Sequence, residues 1–554
     1  MRARQVFMDS LLAHGVECIF GNPGTTESPL LESLAEYPQI TYYVALQEAV
    51  AVCAASFYAK ASRKTALANL HVAPGLGNAI GMMYAALKAN SPLIVTAGQQ
   101  DTRMRLRNPL LSHDLVAMAA PVTKWSAELQ SADETAPLMR RAFKIANEPP
   151  PGPVFVALPI DVMEQETEVP AQTSGSLYQK SAPAADAIEK LVDLILSSEN
   201  PAIIAGDDVA SSGAHQELAA LAERMGASVY HELLRSEISI DKDHPNLRGW
   251  VSFEAGGIRE ALEGHDLVML IGGAFFEEVW FDAVGAIPED AVTVQIEESA
   301  ERLAFNFPLA VGVVGQLGVT LALLTSAIAD AASADFRAAS RERNRRLEQE
   351  RAAMREALAA RSEALWDTVP MSPSRAMYEI GRALPENAVV VDESVTALLE
   401  VTPNFRLGEP GDYYAGRGGG IGQGLAGALG VKVAHPDRPV VALSGDGSAM
   451  YSIQALWTAA HHDLEILFVI LSNREYRVLK HNLDAYRRRF DVGSSRPYPH
   501  MDLADPVLGF VEMARGMGVQ GKLVAKPEEL QRAVQEALSS GGPYLLDVEI
   551  SGKR

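Results

Sequence analysis

Asp446 stands in the run Gly445-Asp446-Gly447-Ser448, directly after the valine-rich stretch 439–443, and Asn473 closes the next apolar run, EILFVILSN, 27 positions later. A carboxylate and an amide oxygen are hard ligands that suit magnesium, which favours near-octahedral oxygen coordination and commonly shares its shell with phosphate oxygens and water. One strand–helix–strand unit takes roughly 30 residues, so this spacing places both side chains at the same edge of adjacent parallel strands. Met450, Ile453, Trp457 and Ala460 recur at helical spacing, which predicts a helix beginning near Ser448 whose N–H groups and positive dipole end face that edge. A cation held by Asp446 and an anion held by the helix start together describe a metal and diphosphate site. Taken alone, Asp446 reads as a helix cap and Asn473 as a strand end. Their joint spacing is what points to a ligand.

The elements that must position these residues form three blocks, 1–165, 185–332 and 372–554, each alternating short apolar runs with helical patterns. Such alternation predicts an α/β protein of three doubly wound parallel-sheet domains. In the first block the strand candidates are VECIF, TYYVAL, TALANL, PLIVTAG and PVFVALP; in the second, PAIIAGDD, ASVYHELL, LVMLIGGAF and AVTVQIE; in the third, AVVVDES, PVVALSGDG, EILFVILSN and PYLLDVEI. Most end in Gly, Pro or a polar residue, where open α/β sheets bind ligands. The polar stretch 164–186 reads as a linker, and the charged run 341–361 as a solvated helix leading into the third block.

Composition removes several function classes. A chain of 554 residues exceeds one hydrophobic core. With 48% hydrophobic and 21% charged residues and no apolar run of the roughly 18–20 residues a membrane span needs, a membrane protein is not expected. Asp9, His14 and Glu17 interrupt the only leader-like segment, so a cytoplasmic location is expected. Cys18 and Cys53 sit in apolar sequence and read as two buried thiols. A net charge of −22 opposes nucleic-acid binding. Gly422-Gln423-Gly424-Leu425-Ala426-Gly427 matches the GxGxxG dinucleotide fingerprint, but it follows the loop AGRGGG rather than a clear strand and lacks a well-placed ribose acid.

GDGS followed at this distance by SNREY resembles the signature of thiamine diphosphate (ThDP) enzymes, and GDGSAMYSIQALWTAA is similar to the benzoylformate decarboxylase family. The resemblance spans all three blocks and implies pyrimidine-binding, central and diphosphate-binding domains. It implies that Asp446, Asn473 and the backbone carbonyl of Glu475 bind Mg2+, with Ca2+ able to take its place, and that Gly447 and Ser448 lie near the diphosphate. VVVDESVTALL resembles a segment whose hydroxyl residues hold diphosphate oxygens; Thr396 keeps the hydroxyl and Val395 does not. In the 416–422 loop the carbonyl of Gly419 would meet the aminopyrimidine, and Ile421 would be the bulky residue that bends the cofactor into its V shape.

Glu48 opens a nearly uncharged helical stretch, EAVAVCAASFYAKAS. Apolar surroundings raise a carboxyl pKa, and the resemblance matches Glu48 to the glutamate that drives the pyrimidine into its imino form; the plain alternative is a glutamate favouring the helix dipole. FGNPGTTE resembles the family loop in which a serine contacts the substrate carboxylate, here Thr25, and ANLHVAPGLGNA aligns His71, before a glycine-rich turn, with a proton-transferring histidine. The family pairs the pyrimidine-binding block of one chain with the diphosphate-binding block of another, so the resemblance implies a homodimer at least, and commonly a homotetramer.

Departures accompany these matches. Arg474 stands where glycine is frequent, the family's second catalytic histidine would fall near Val279 in GGAFFEEVWFDA, which has none, and a pocket aromatic aligns near Asn482 while Leu479 stays apolar. His113 lies in a loop that approaches the cofactor in related enzymes, and LVAMAAPVTKWS is also similar to benzaldehyde lyase. No signature of FAD is apparent, unlike in acetolactate synthases. The implied activity is decarboxylation of a 2-oxo acid through a C2 enamine. The alternatives are a carboligase of benzaldehyde lyase or acetolactate synthase type, which forms 2-hydroxyketones, and a cofactor-binding homologue that has lost turnover.

Overall fold

Three six-stranded α/β sheets make up the computed structural model, which describes residues 1–177, 180–277 and 279–552. The linker expected over 164–186 and the segment 272–283 each include residues outside those described. The first sheet comprises Cys18–Gly21 (β1), Thr41–Val44 (β2), Ala66–Leu70 (β3), Leu93–Gln99 (β4), Trp125–Glu128 (β5) and Pro153–Pro159 (β6), in the order β2-β1-β3-β4-β6-β5. The second comprises Pro201–Ala205 (β7), Ser228–His231 (β8), Leu247–Trp250 (β9), Leu267–Ile271 (β10), Val292–Glu297 (β11) and Val311–Val314 (β12), ordered β12-β11-β10-β7-β8-β9. The third comprises Val389–Glu393 (β13), Tyr413–Ala415 (β14), Val440–Gly445 (β15), Ile466–Ser472 (β16), Gln520–Val524 (β17) and Tyr544–Glu549 (β18), ordered β14-β13-β15-β16-β18-β17. The α/β, parallel-sheet class expected from the alternating pattern is the class observed.

By contacts the chain forms two compact units. One gathers Met1–Ser176, Leu365–Phe405 and Tyr414–Arg554, and so carries the first sheet and nearly all of the third; the other, Leu177–Ala364 and Arg406–Tyr413, carries the second sheet. Within the first unit one hydrophobic cluster runs through both sheets, and a second packs on the other face of the first sheet. At its centre, helix Glu48–Ser62 (α1) lies against helix Gln423–Ala434 (α3, the label α2 going to Val72–Lys88), and each is buried along most of its length. Small residues allow this: a Cβ added at Gly430 would stand 1.9 Å from the Ala54 carbonyl oxygen, and one at Gly427 would meet the Phe57 ring at 2.7 Å. Close backbone approach of two largely buried helices requires glycine there. Among the described residues no helix is long and apolar enough to cross a membrane.

Candidate active site

β15 and β16 pair in parallel with Gly445 opposite Leu471, so the chain leaves both strands at one edge, with Asp446 and Asn473 just beyond it. The Asp446 carboxylate is buried, 5% exposed, and accepts hydrogen bonds from the backbone N–H of Gly447 at 2.8 Å and of Arg474 at 2.6 Å. Burial pushes its pKa up to about 6, against the pull of those backbone donors. A carboxylate desolvated this far is suited to pairing with a cation. The Asn473 side-chain oxygen accepts from the Glu475 N–H at 3.0 Å, which closes the loop over 473–475.

The loop also accounts for Arg474. Its φ of +59° lies in the left-handed region that glycine enters freely, and its guanidinium turns away to pair with Glu549 at 3.3 Å. The side chain lines a separate cavity of about 430 Å³ behind the loop. On the loop's other face a cavity of about 290 Å³ is lined by Thr396, Ile421, Asp446, Gly447, Ser448, Asn473 and Glu475 together with Ser394 and Leu479. Seven of the cofactor and metal candidates named from the sequence therefore converge on one cavity. Gly419, at φ +68°, belongs to the loop before Ile421 but does not line it.

Two features of this cavity differ from expectation. The continuous helix expected from Ser448 to Ala460 is split: Asp446–Ala449 makes one helical turn, 450–454 is a turn, and Ala455–His461 is helical. Helical periodicity is met by both pieces, but Gly422 approaches so closely that a Cβ there would stand 2.6 Å from the Tyr451 Cβ. One turn sums few peptide dipoles, and its Gly447 N–H already donates to Asp446, so its contribution to anion binding is the remaining N–H groups rather than a macrodipole. The second feature is Ser394, which sequence reasoning passed over: its hydroxyl is buried with no hydrogen-bond partner among the described residues. A polar residue following the apolar run of β13 was the available signal. Among the described residues no three His, Cys, Asp or Glu side chains cluster as a metal site. A cation at Asp446 would thus draw on amide, carbonyl and phosphate oxygens, and the desolvated carboxylate and orphan hydroxyl fit a metal-bound diphosphate.

Glu48, His71 and Thr25 do not line that cavity. They belong to the C-terminal edge of the first sheet, where β1 and β3 pair in parallel. Glu48, 7% exposed, begins α1, and its carboxylate accepts from the side-chain amides of Asn22 at 3.3 Å and Asn78 at 3.0 Å. The run after His71 is helical, α2, rather than a turn. Its Gly75 makes room instead, since a Cβ there would stand 3.0 Å from Glu48 Oε1. Val72 bends the chain sharply into α2 at φ +38°, a strained value for a β-branched residue.

His71 is held by a residue the sequence reading missed. Its Nδ1 donates to Glu27 Oε2 at 2.8 Å, and Glu27 also accepts from the N–H of Gly24 at 2.8 Å, the N–H of Gly98 at 2.7 Å and the Thr26 hydroxyl at 2.9 Å. A carboxylate accepts only, so this pairing places the His71 Nδ1 proton toward Glu27 and leaves Nε2 for exchange. Gly24 is obligatory here, because a Cβ would fall 2.1 Å from the imidazole. Thr25 is exposed at the start of a single helical turn, Thr25–Glu27. His113 is exposed, its carbonyl accepting from the Gln99 amide, and Asn482 is exposed outside the cavity lining.

The GxGxxG match is explained without a dinucleotide. The N–H groups of Gly422, Gln423 and Gly424, which would cradle phosphate, donate to the Glu393 carboxylate at 2.7–2.9 Å, and Gly427 serves the contact with α1. A protein anion already holds the helix start.

The chain matches the models of the thiamine pyrophosphate enzyme N-terminal TPP binding domain over residues 1–118, the central domain over 188–324 and the C-terminal TPP binding domain over 397–548. It is 30% identical to the benzoylformate decarboxylase of Pseudomonas aeruginosa over 544 residues, covering 97% of each chain. The chain belongs to the thiamine pyrophosphate enzyme family. It is also similar, at 28% identity and 99% coverage of both chains, to a putative acetolactate synthase large subunit of Mycobacterium tuberculosis. The fold of this family member superposes on the ThDP-dependent 4-hydroxybenzoylformate decarboxylase of Rhodococcus jostii with a TM-score of 0.85 at 27% identity, covering 100% of this chain and 99% of the other. It is therefore a ThDP-dependent enzyme of the decarboxylase and acetolactate synthase family.

Proposed function

We propose that this enzyme decarboxylates a 2-oxo acid in the manner of benzoylformate decarboxylase, with ThDP held through Mg2+. The observation that carries the reading is the pair of half-sites: a metal and diphosphate cavity at the edge of the third sheet, and a carboxylate–imidazole set at the edge of the first. Asp446, Asn473 and the Glu475 carbonyl hold the cation, while Ser394, Thr396 and the N–H group of Ser448 take the diphosphate, with Gly447 beside them. ThDP, when bound, would supply a nucleophilic carbon for the keto carbon of the substrate and an electron sink for the bond lost with CO2. Glu48, braced by Asn22 and Asn78, exchanges a proton with the pyrimidine ring. Thr25 orients the substrate carboxylate by its hydroxyl, and His71, set by Glu27, moves a proton at Nε2.

No residue of the first sheet lines the 290 Å³ cavity, which supports a homodimer in which each half-site is completed by a second copy; a homotetramer is a pair of such dimers. A carboligase reading is favoured by the acetolactate synthase relative and by the absence of histidine from 272–283. The test is to incubate the holoenzyme with a panel of 2-oxo acids and aldehydes while measuring CO2, aldehyde and hydroxyketone. CO2 with aldehyde supports the decarboxylase, and hydroxyketone formed without CO2 release overturns it. Loss of thiazolium C2 proton exchange in Glu48→Gln is the expected companion result, and unchanged exchange rejects the role of Glu48.

A further inference from the structure

Glu393 is the last residue of β13 and has no part in the chemistry above. Its two carboxylate oxygens take three consecutive backbone donors: Oε1 accepts from Gly422 N–H at 2.7 Å and Gln423 N–H at 2.9 Å, and Oε2 from Gly424 N–H at 2.9 Å. A second brace comes from Gln423, whose side-chain amide donates to the carbonyls of Arg417 at 3.0 Å and Gly420 at 2.7 Å. The segment so held contains three glycines with positive φ, Gly418, Gly419 and Gly422. Unbraced, such a segment samples many backbone states, because glycine loses more conformational freedom on ordering than any other residue.

The same carboxylate belongs to a second wall. Directly after Glu393 the chain continues as Ser394, Val395 and Thr396, all three lining the candidate diphosphate cavity, and Ile421, one residue before the clamped Gly422, lines it from the opposite segment. Fit between the walls is close: a Cβ at Gly424 would stand 2.8 Å from the Glu393 Cβ. Burial raises the Glu393 pKa to about 7 even against the three N–H donors, so this carboxyl occupies a costly position, offset by the contacts it makes.

We propose that Glu393 is a positioning residue that ties the 416–424 loop to the 394–396 wall and thereby sets where Ile421 and the Gly419 carbonyl stand against the cofactor. The inference rests on the ThDP reading of the cavity. Glu393 acts through the loop, not on the reacting atoms.

Glu393→Gln tests it. The amide keeps the shape but presents NH2 at one end, so at least one of the three N–H donors loses its acceptor. Peptide-resolved hydrogen exchange on the ligand-free protein should show the 416–424 amides exchanging at least about tenfold faster, since a charge-assisted bond is lost, while peptides from β4, β16 and β18 are unchanged. Equal protection of 416–424 in wild type and variant overturns the clamp, and so does a uniform rise across both sheets, which marks a general loss of stability. With ThDP and Mg2+ added, the variant should bind cofactor within a few-fold of wild type yet exchange the C2 proton at least about tenfold more slowly. Unchanged C2 exchange in a variant with a loosened loop overturns the positioning role. Failure of the wild type to bind ThDP would instead overturn the cofactor reading, leaving the ligand-free arm to judge the clamp.

Discussion

Replacing Glu27 by glutamine changes one atom type in a side chain that is 1% exposed and engages four donors. The amide has one accepting end. Turned toward His71 and Gly24, its oxygen keeps two bonds, its NH2 can reach the Thr26 oxygen once that hydroxyl rotates, and the Gly98 N–H is left facing another donor. One buried N–H without an acceptor costs about 1–3 kcal/mol, so the apoprotein should lose roughly that much stability. The imidazole meanwhile trades a charge-assisted bond for a neutral one of about half the strength, a loss of about 1–1.5 kcal/mol. If His71 carries positive charge in the rate-limiting transition state, kcat falls about tenfold. Glu27→Ala removes all four bonds and should cost at least about a hundredfold. Steady-state kinetics with the preferred 2-oxo acid, alongside denaturant unfolding of each apoprotein, measures both quantities. A Glu27→Gln enzyme that folds and turns over at the wild-type rate refutes the assignment of Glu27 as the group that orients His71.

Asp446→Ala should weaken ThDP binding in proportion to its dependence on Mg2+, measured by titration calorimetry with and without the metal; unchanged affinity contradicts the metal assignment. Gly430→Ala places a methyl 1.9 Å from the Ala54 carbonyl and should destabilise the first unit by at least about 1–3 kcal/mol, read by calorimetry, with Gly541→Ala, where a Cβ meets nothing but φ is +72°, costing less. His462 accepts from the Val44 N–H, and burial, with His461 beside it, lowers its pKa to about 4 from 6.5. The unfolded chain then binds more protons between pH 4 and 6.5, so stability rises with pH across that window, by on the order of 1–3 kcal/mol for this partly exposed group; His462→Gln should flatten the profile of unfolding free energy against pH.

Interior strands were legible in the sequence, and of the six edge strands only β2, in the run TYYVAL, was. The runs VECIF, TALANL, PLIVTAG, PVVALSGDG and EILFVILSN became β1, β3, β4, β15 and β16, buried on both faces and therefore continuously apolar. The strands without a recognised run are β5, β9, β12, β14 and β17, each at a sheet edge. Most are half-exposed, as in the buried–exposed alternation of Val311–Val314, or too short, as in Tyr413–Ala415. Asp446 and Asn473 were legible because a parallel crossover has a nearly constant length. Glu27 was not, since nothing local marks a glutamate between Thr26 and Ser28 as buried.

Residue type and spacing alone establish the α/β class, the family resemblance and the list of groups able to bind a cation or move a proton, because periodicity and crossover length are local properties of the chain. Which acceptor meets which donor is a property of the folded whole. Only the tertiary structure turns Arg474 away from the cavity lined by Asn473 and Glu475, sets Glu27 under His71, gives the GxGxxG amides to Glu393 and leaves Glu48 outside the cavity that holds Asp446. Each of these outcomes joins residues far apart in sequence through hydrogen bonds and steric fit that no local pattern encodes.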